Sequence, residues 1–359
     1  MWIPLTKSIA TALLWAAAGG GAVAQNLGQT SLRGDELVKL PNSSEHRPSQ
    51  ITLFYATSAS EATVTRGPFT YSVAANAAPM LKAATPLVLL SHGSGGSVHT
   101  FVDLARALVQ AGFVVALPVH AGDNSQDQRD VGPASWRKRP LELSATLDAL
   151  AAHPKWSGWV NTQQVGVFGM SAGGHTALVM AGGVWSEARF GDHCRNNVAQ
   201  DFNTCVGLMT HLNGGAMDAA KIAMAKAIFQ TRFNDATALS HADARIKAVV
   251  SSVPMAAPFD ASTLSTPRVP LALMRAELDS WLHPKFHSDT ISAQCLPRST
   301  CTLLANWPKG GHGSVLSPWP AELASSISPL MVDPDGFDRA TELPKAFGDV
   351  AAFFATHLR

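Results

Sequence analysis

A serine between two glycines is the strongest candidate for a reactive side chain in this sequence. Residues 169–173 are Gly-Met-Ser-Ala-Gly, the spacing G-x-S-x-G, and they directly follow the short apolar run Val165–Phe168. A serine in this pattern lies on a strained turn between a strand and a helix, where flanking side chains would collide with neighbouring backbone. The turn exposes the hydroxyl and directs the N-terminus of the next helix at a reacting carbonyl group. Ser171 is therefore the candidate nucleophile.

A histidine close to the C-terminal end is the candidate base. A serine hydroxyl is a poor nucleophile at neutral pH and needs a base within hydrogen-bond reach. His312 lies among glycines in a loop after the last predicted strand, Thr302–Ala305. His92, His120 and His175 also lie near predicted strand ends, but they precede or closely follow the serine. Triads built on this kind of serine turn have the chain order serine, acid, histidine, which favours His312.

The acid of such a triad should follow a strand between the serine and the histidine. Glu277 and Asp279 both follow the predicted strand Leu271–Met274, and Asp279 is the preferred acid. Asp260 lies on the loop after the preceding strand and, like Glu277, is an alternative. A carboxylate in this position would orient the imidazole and stabilise the imidazolium that forms when the serine attacks.

A second glycine-rich loop supplies the candidate oxyanion hole. Residues 91–96, Ser-His-Gly-Ser-Gly-Gly, follow the predicted strand Leu87–Leu90. An oxyanion hole needs two backbone N–H groups, one after the nucleophile and one from an early strand-to-helix loop. Here these groups would belong to Ala172 and Ser94. A phosphate-binding loop is not indicated, because neither G-x-x-x-x-G-K-[ST] nor G-x-G-x-x-G fits these residues.

The elements that would position these residues alternate between strand and helix from residue 85 onward. Short continuous apolar runs indicate strands that are covered on both faces. The predicted strands are 51–56, 62–65, 87–90, 113–117, 165–168, 248–250, 271–274 and 302–305, and the predicted helices are 100–110, 141–152, 172–180 and 345–358. This order and the serine turn predict an α/β-hydrolase fold, with a mostly parallel sheet and helices on both faces.

One long connection breaks the alternation. Residues 185–245 separate the helix after the serine from the strand at 248–250, and they include an alanine-rich helical run at Ala216–Gln230. A connection of this length usually packs over the C-terminal edge of the sheet, where ligands bind in such folds. We expect a cap-like insertion, and a peripheral structural insertion is the alternative.

The N-terminal segment predicts export. Lys7, the apolar stretch Ile9–Ala18 and the small residues before Gln25 form the pattern of a secretory signal at residues 1–24, which is too short for a membrane anchor. We expect an extended lead-in at 25–48 and one hydrolase domain at 49–359. The chain has 27 Lys and Arg against 26 Asp and Glu, so no nucleic acid or anionic membrane is expected as partner. We therefore expect a secreted or periplasmic protein.

The cysteines fall in two close pairs, which indicates disulfides in an oxidising compartment. The predicted bonds are Cys194–Cys205 and Cys295–Cys301. A zinc site is the less favoured alternative, because the C-x₂₋₄-C spacing of zinc ligands is absent. His283 and His287 are spaced like metal ligands on a helix, but Pro284 lies between them. We therefore expect two exposed loop histidines and no metal.

With these motifs the sequence resembles the predicted dienelactone hydrolases, which are similar to the platelet-activating factor acetylhydrolases. The resemblance runs from about residue 49 to the C-terminus and rests on residues 86–96, 117–123, 165–174 and 336–339. It implies a carboxylic ester hydrolase with a serine triad and no cofactor. True dienelactone hydrolases use a cysteine nucleophile where this chain has Ser171, so their lactone substrate is not implied. In the acetylhydrolase branch the acid lies one strand earlier, which keeps Asp260 open.

The function predicted from these residues is that of a secreted serine carboxylic ester hydrolase. It would act on a small-molecule or polymeric ester through Ser171, His312 and Asp279 by way of an acyl-enzyme. A serine peptidase or amidase on the same fold is one alternative, although the strand-blade repeats of oligopeptidases are missing. A catalytically silent binding protein is the other, and it would normally lack part of the triad.

Overall fold

The described strands form one large sheet and one small sheet. The structure is a computed structural model that describes residues 25–33, 36, 37, 39, 46–320 and 330–359. The strands are β1 (Asn26–Arg33), β2 (Gln50–Thr57), β3 (Ala62–Arg66), β4 (Phe69–Ala75), β5 (Thr85–Ser91), β6 (Val114–Val119), β7 (Val160–Met170), β8 (Val184–Trp185), β9 (Ile246–Ser252), β10 (Phe259–Asp260), β11 (Leu271–Ala276) and β12 (Cys301–Trp307). The large sheet has the order β12-β11-β9-β7-β5-β6-β2-β1-β4-β3, and β8 pairs with β10.

Helices cover both faces of the large sheet. They are α1 (Val102–Gln110), α2 (Pro133–Ala152), α3 (Ala172–Met180), α4 (Glu187–Asn197), α5 (Phe202–Val206), α6 (Asp218–Thr231), α7 (Ser288–Cys295) and α8 (Arg339–Leu358). None of the helices within the described ranges is long and apolar enough to span a membrane. The layers of helix, sheet and helix confirm the predicted α/β-hydrolase fold.

The strands β6, β5, β7, β9, β11 and β12 run parallel to one another, and β12 forms one edge of the sheet. In β5, Leu87 and Leu89 lie in one core with α2 and α3, while Val88 and Leu90 lie in a second core with α1 and α8. Because both faces are buried, such strands are continuous apolar runs, which is why the sequence predicts them. The carboxyl ends of parallel strands meet at one edge, so the loops after β5, β7, β11 and β12 share that edge.

The N-terminal part of the sheet is mainly antiparallel. β1 pairs antiparallel with β2 over its full length, and β2 pairs antiparallel with β6. The segment predicted as an extended lead-in therefore contains a sheet strand, held by the buried side chains of Leu27 and Leu32. β4, which the sequence pattern does not predict, pairs with both β1 and β3. The predicted signal at residues 1–24 lies outside the described residues.

Two helices begin earlier than the apolar pattern indicates. α2 begins at Pro133 rather than at residue 141, and α8 begins at Arg339 rather than at 345. Each contains an internal proline, Pro140 and Pro344 respectively. Proline removes a backbone donor and is a strong signal against a helix interior, so the sequence pattern places these helix starts too late.

The insertion between β8 and β9 is helical and packs beside the sheet. Phe190 of α4 contacts Phe229 of α6 and Trp136 of α2, with ring centroids 5.7 Å and 5.1 Å apart respectively. The insertion also reaches the loop after β11, where Asn203 Nδ2 donates a hydrogen bond of 3.1 Å to the carbonyl oxygen of Ser280. These contacts place one side of the insertion next to the loop that carries Asp279.

Both predicted cysteine pairs are bonded in the structure. One disulfide joins Cys194 to Cys205 within the insertion, and the other joins Cys295 to Cys301 at the start of β12. No free cysteine occurs among the described residues. The first bond ties α4 to α5, and the second ties α7 to the edge strand of the sheet.

Candidate active site

Ser171 lies on a strained turn between β7 and α3. Its backbone has φ 58° and ψ −118°, a conformation that costs free energy for a residue with a side chain. The turn is held by a hydrogen bond of 3.1 Å from the Ser171 N–H to the oxygen of Ser252 and by another of 3.0 Å from the His175 N–H to the Ser171 oxygen. A Cβ atom on Gly169 would overlap the backbone of Gly173, which explains the glycines of the motif. The predicted nucleophile turn is thus formed.

His312 and Asp279 form a buried hydrogen-bonded pair after adjacent strands. The Nδ1–H of His312 donates to Asp279 Oδ2 at 2.7 Å, and the two residues are only 3% and 4% exposed. The other carboxylate oxygen accepts backbone N–H groups from Trp281 at 2.9 Å and Leu282 at 2.8 Å. Asp279 follows β11 and His312 follows β12, and these strands are parallel neighbours. The carboxylate fixes both the ring orientation and the tautomer.

The second nitrogen of His312 is left to act as an acceptor. With the proton on Nδ1, Nε2 carries a lone pair, and this buried atom has no hydrogen-bond partner in the described part of the chain. A buried polar atom without a partner is rare and requires an explanation, and a catalytic role is one. No hydrogen bond joins Nε2 to the Ser171 hydroxyl in this structure. Catalytic contacts of this kind are often long before a substrate binds.

The alternative acids are engaged elsewhere. Asp260 is partly exposed on β10, where its carboxylate accepts hydrogen bonds from Arg189 Nη2 at 2.8 Å and from Ser262 Oγ at 2.6 Å. Glu277 accepts a hydrogen bond of 2.7 Å from Asn306 Nδ2. Of the three candidate acids, Asp279 is therefore the one that contacts the His312 ring.

The candidate oxyanion loop lies directly against the nucleophile turn. A Cβ atom built on Gly93 would be 3.3 Å from the Ser171 Cβ, so this loop and the serine are in contact. Ala172 is the first residue of α3, where a backbone N–H has no acceptor inside the helix. The Ser94 N–H donates to no backbone acceptor among the residues that the structure describes. Both N–H groups assigned to the oxyanion hole are thus available for a ligand.

Two buried charged residues behind this loop are missing from the candidates predicted from the sequence. Asp123 follows β6, and Arg139 projects from α2, and both residues are fully buried. Asp123 belongs to the segment 117–123 on which the family resemblance rests, and its position after a parallel strand could have drawn attention to it. Arg139 gives no such signal, because it lies on a helix that begins eight residues before the predicted start.

Another cluster has metal-ligand residue types but the wrong tautomer for a metal. His193 Nε2 and His287 Nε2 lie 2.8 Å and 3.0 Å from Asp201 Oδ2. The Ala256 N–H donates to His287 Nδ1 at 2.9 Å, so the ring proton is on Nε2 and is donated to the carboxylate. That nitrogen has no lone pair for a metal. The expectation of an exposed loop histidine at 287 is wrong, since His287 is 1% exposed.

Comparisons with known proteins agree with this fold. The family model described as the dienelactone hydrolase family matches residues 73–194, which include the oxyanion loop and the serine turn. The solved structure of a ferulic acid esterase from Streptomyces cinnamoneus has a TM-score of 0.52 and 18% identity, covering 96% of this chain and 92% of its own. A candidate dienelactone hydrolase from Klebsiella pneumoniae has a TM-score of 0.47 and 12% identity, covering 93% of this chain and 100% of its own. No curated protein sequence matches the chain.

The fold defines the class of this protein as an α/β-hydrolase. Within that class, the matched segment makes the chain dienelactone hydrolase-like, as its sequence motifs predict. The match to this family supports a hydrolase of the carboxylic ester hydrolase type. The match ends at residue 194, so it does not include Asp279 or His312.

Proposed function

We propose that this chain is a secreted serine carboxylic ester hydrolase that works through Ser171, His312 and Asp279. The observation that carries the proposal is the buried His312–Asp279 hydrogen bond, which leaves the Nε2 lone pair free at the sheet edge where Ser171 lies. A neutral imidazole held in this tautomer can accept the proton of a serine hydroxyl. The strained turn of Ser171 supports the same role for the hydroxyl.

The reaction would proceed by acyl transfer to the serine and then to water. Ser171 Oγ attacks the ester carbonyl while His312 Nε2 takes its proton, and the imidazolium then protonates the leaving alcohol. Asp279 stabilises the imidazolium, and the N–H groups of Ser94 and Ala172 stabilise the oxyanion. Water, activated by the same histidine, hydrolyses the acyl-enzyme. Every catalytic group in this route belongs to the protein.

Export is the second part of the proposal. The predicted signal at residues 1–24 and the two disulfides support it, because disulfides persist in oxidising compartments. The substrate would be a small-molecule or polymeric ester. The insertion beside the Asp279 loop is the element through which acyl and alcohol preference would be set.

Hydrolysis of p-nitrophenyl esters of increasing acyl length tests the proposal. The wild type should release p-nitrophenol, and Ser171→Ala should be slower by about 10⁴-fold or more in kcat. Ser252→Ala is the matched control, because its hydroxyl is buried without a hydrogen-bond partner in the described chain and only its backbone oxygen holds the turn. The control should keep activity close to wild type. Equal activity of wild type and Ser171→Ala would overturn the proposal.

A further inference from the structure

We propose that Asp123 and Arg139 are positioning residues that aim the Ser94 N–H at the substrate oxyanion. This inference rests on the proposed function, since it assigns a task within the same catalytic cycle. Neither residue contacts the reacting atoms. Each acts through the backbone of residues 92–95, which it holds by hydrogen bonds.

The direction of the Ser94 N–H is set by the carbonyl of the preceding residue. A trans peptide places its C=O and N–H on opposite sides, so fixing the Gly93 oxygen fixes the Ser94 N–H as well. Three donors hold that oxygen: Arg139 Nη2 at 3.3 Å, the Gly96 N–H at 3.1 Å and His92 Nδ1 at 2.7 Å. The Ser94 N–H therefore points away from this group of donors.

His92 can donate a hydrogen bond to the Gly93 oxygen because of its own surroundings. Its Nε2 accepts the backbone N–H of His120 at 3.2 Å, which leaves the ring proton on Nδ1 for the Gly93 oxygen. Burial holds the pKa of His92 well below its ordinary value, so the ring stays neutral and keeps this tautomer. Arg139 Nη1 also donates to the His92 carbonyl oxygen, which ties two successive carbonyls to one guanidinium.

Asp123 holds the other side of Ser94. Its Oδ1 accepts the Ser94 hydroxyl at 2.7 Å and the Gly95 N–H at 2.8 Å, while its Oδ2 accepts Arg139 Nη2 at 2.8 Å. Gly95 has φ +63°, a conformation that favours glycine and turns the chain back toward the carboxylate. Ser94 is thus fixed from both directions, by Arg139 through the residue before it and by Asp123 through its own side chain and the residue after it.

The complete burial of the Asp123–Arg139 ion pair indicates that the pair positions the loop rather than stabilises the fold. Both side chains are fully buried, and a buried ion pair is a poor source of stability because desolvation offsets the attraction. Burial also opposes ionisation of Asp123, yet Arg139 and the hydrogen bonds from Ser94 and Gly95 hold the pKa of Asp123 well below its usual range. The carboxylate is therefore charged at all pH values at which the enzyme would work. A fixed, charged acceptor can hold the loop of an oxyanion hole in place, and the donors of such a hole must be oriented before the reaction.

The test compares the buried Asp123–Arg139 pair with the partly buried Asp243–Arg245 pair. Asp123→Asn removes the charge that orients the oxyanion loop, and Asp243→Asn removes one of the two carboxylates paired with Arg245, just before the first residue of β9 and away from the Ser171 turn. We measure kcat and KM for a p-nitrophenyl ester, the midpoint of thermal unfolding, and inhibition by phenylboronic acid, whose serine adduct is tetrahedral. Asp123→Asn should lower kcat by about 10²–10³-fold, the effect of losing one oxyanion donor, with KM within roughly threefold. The same substitution should weaken inhibition by phenylboronic acid by a similar factor.

Asp243→Asn should lower the unfolding midpoint and leave kcat and inhibition unchanged. If both variants retain wild-type kcat, or if Asp123→Asn raises KM alone, the positioning role is wrong. Covalent labelling of wild-type Ser171 by a fluorophosphonate separates this failure from failure of the proposed function. Labelled Ser171 with an unaffected Asp123→Asn variant contradicts the inference alone, whereas an unlabelled wild type contradicts the proposed function.

Ser94→Ala provides the test if Asp123→Asn does not fold. Ser94 is only partly buried, and the substitution keeps the ion pair and the backbone N–H while removing the hydroxyl that binds Asp123. Loss of one charge-assisted hydrogen bond should lower kcat by about tenfold with little change in the unfolding midpoint. An unchanged kcat in Ser94→Ala would contradict the inference.

Discussion

At the scale of single residues, the proposed chemistry depends on which carboxylate controls the His312 ring. Asp279 binds Nδ1 and is itself held by two backbone N–H groups, so it cannot rotate away without losing three hydrogen bonds. Asp260 instead forms an exposed ion pair with Arg189. The two aspartates therefore differ in role as well as in position along the chain.

Substitution of the two aspartates should separate these roles. Asp279→Asn should lower kcat by up to about 10⁴-fold, because an amide can donate to Nδ1 and so favour the wrong tautomer. Asp260→Asn should change kcat little, since its carboxylate accepts hydrogen bonds from Arg189 and from the hydroxyl and N–H of Ser262, away from His312. The measurement is kcat of both variants on one ester. Loss of activity in Asp260→Asn alone would place the acid one strand earlier.

The residues of the candidate triad could be predicted because their signals are local. Ser171 lies in a five-residue motif, and His312 and Asp279 follow short apolar runs in the required order. The pairing of Asp123 with Arg139 could not be predicted, because it joins a loop to a helix across the fold. Asp123 at least follows a strand, whereas nothing near Arg139 marks it as buried. Sequence patterns indicate which residue types can react, whereas the groups that orient them depend on tertiary contacts.

At the scale of secondary-structure elements, the buried carboxylate of Asp201 holds the insertion next to the loop that carries Asp279. Asp201, just before α5, accepts hydrogen bonds from His193 of α4 and from His287, which precedes α7. Burial opposes ionisation of Asp201, but the two histidine hydrogen bonds hold its pKa well below the ordinary value. This carboxylate therefore joins the insertion to the segment that follows Asp279.

Asp201→Asn should destabilise the protein in a pH-dependent manner. A depressed pKa means that the carboxylate contributes stability above its unfolded pKa of about 3.8, and that this contribution is lost as the pH falls below that value. The unfolding midpoint of the variant should be lower by on the order of 5 °C near pH 7, and the gap should narrow below about pH 4. Asp192→Asn, which changes an exposed carboxylate of α4, is the control and should show no such gap. A gap that is constant down to pH 3 would contradict the assignment.

The strands β2 and β3, the parallel strands and most helices could be predicted, whereas β1, β4 and two helix starts could not. β5, β7, β9 and β11 contain apolar runs because both of their faces are buried there. β1 and β4 have mixed polar sequences, since they lie near the edge of the sheet with partly exposed faces. The first turns of α2 and α8 contain no clear apolar pattern and precede internal prolines, so only tertiary packing reveals them.

At the scale of the whole molecule, the disulfides connect structure to the proposed export. Non-reducing peptide mapping should find Cys194 joined to Cys205 and Cys295 joined to Cys301 in protein recovered from the oxidising compartment. Replacement of the Cys194–Cys205 pair by serine should lower the free energy of unfolding by about 2–3 kcal/mol, the value expected for a short closed loop. Four thiols that react with iodoacetamide without prior reduction would contradict both the pairing and the compartment.

The central claim is that Ser171 is the catalytic nucleophile of this protein. The most direct measurement is covalent labelling with a fluorophosphonate, followed by intact mass and peptide mapping of wild type, Ser171→Ala and Ser252→Ala. The proposal predicts one adduct per chain on Ser171 in the wild type and in Ser252→Ala, and none in Ser171→Ala, because the strained turn holds this hydroxyl beside the loop that carries the proposed oxyanion donor Ser94. Labelling of Ser171→Ala to the same extent, or an adduct on another residue of the wild type, would contradict it.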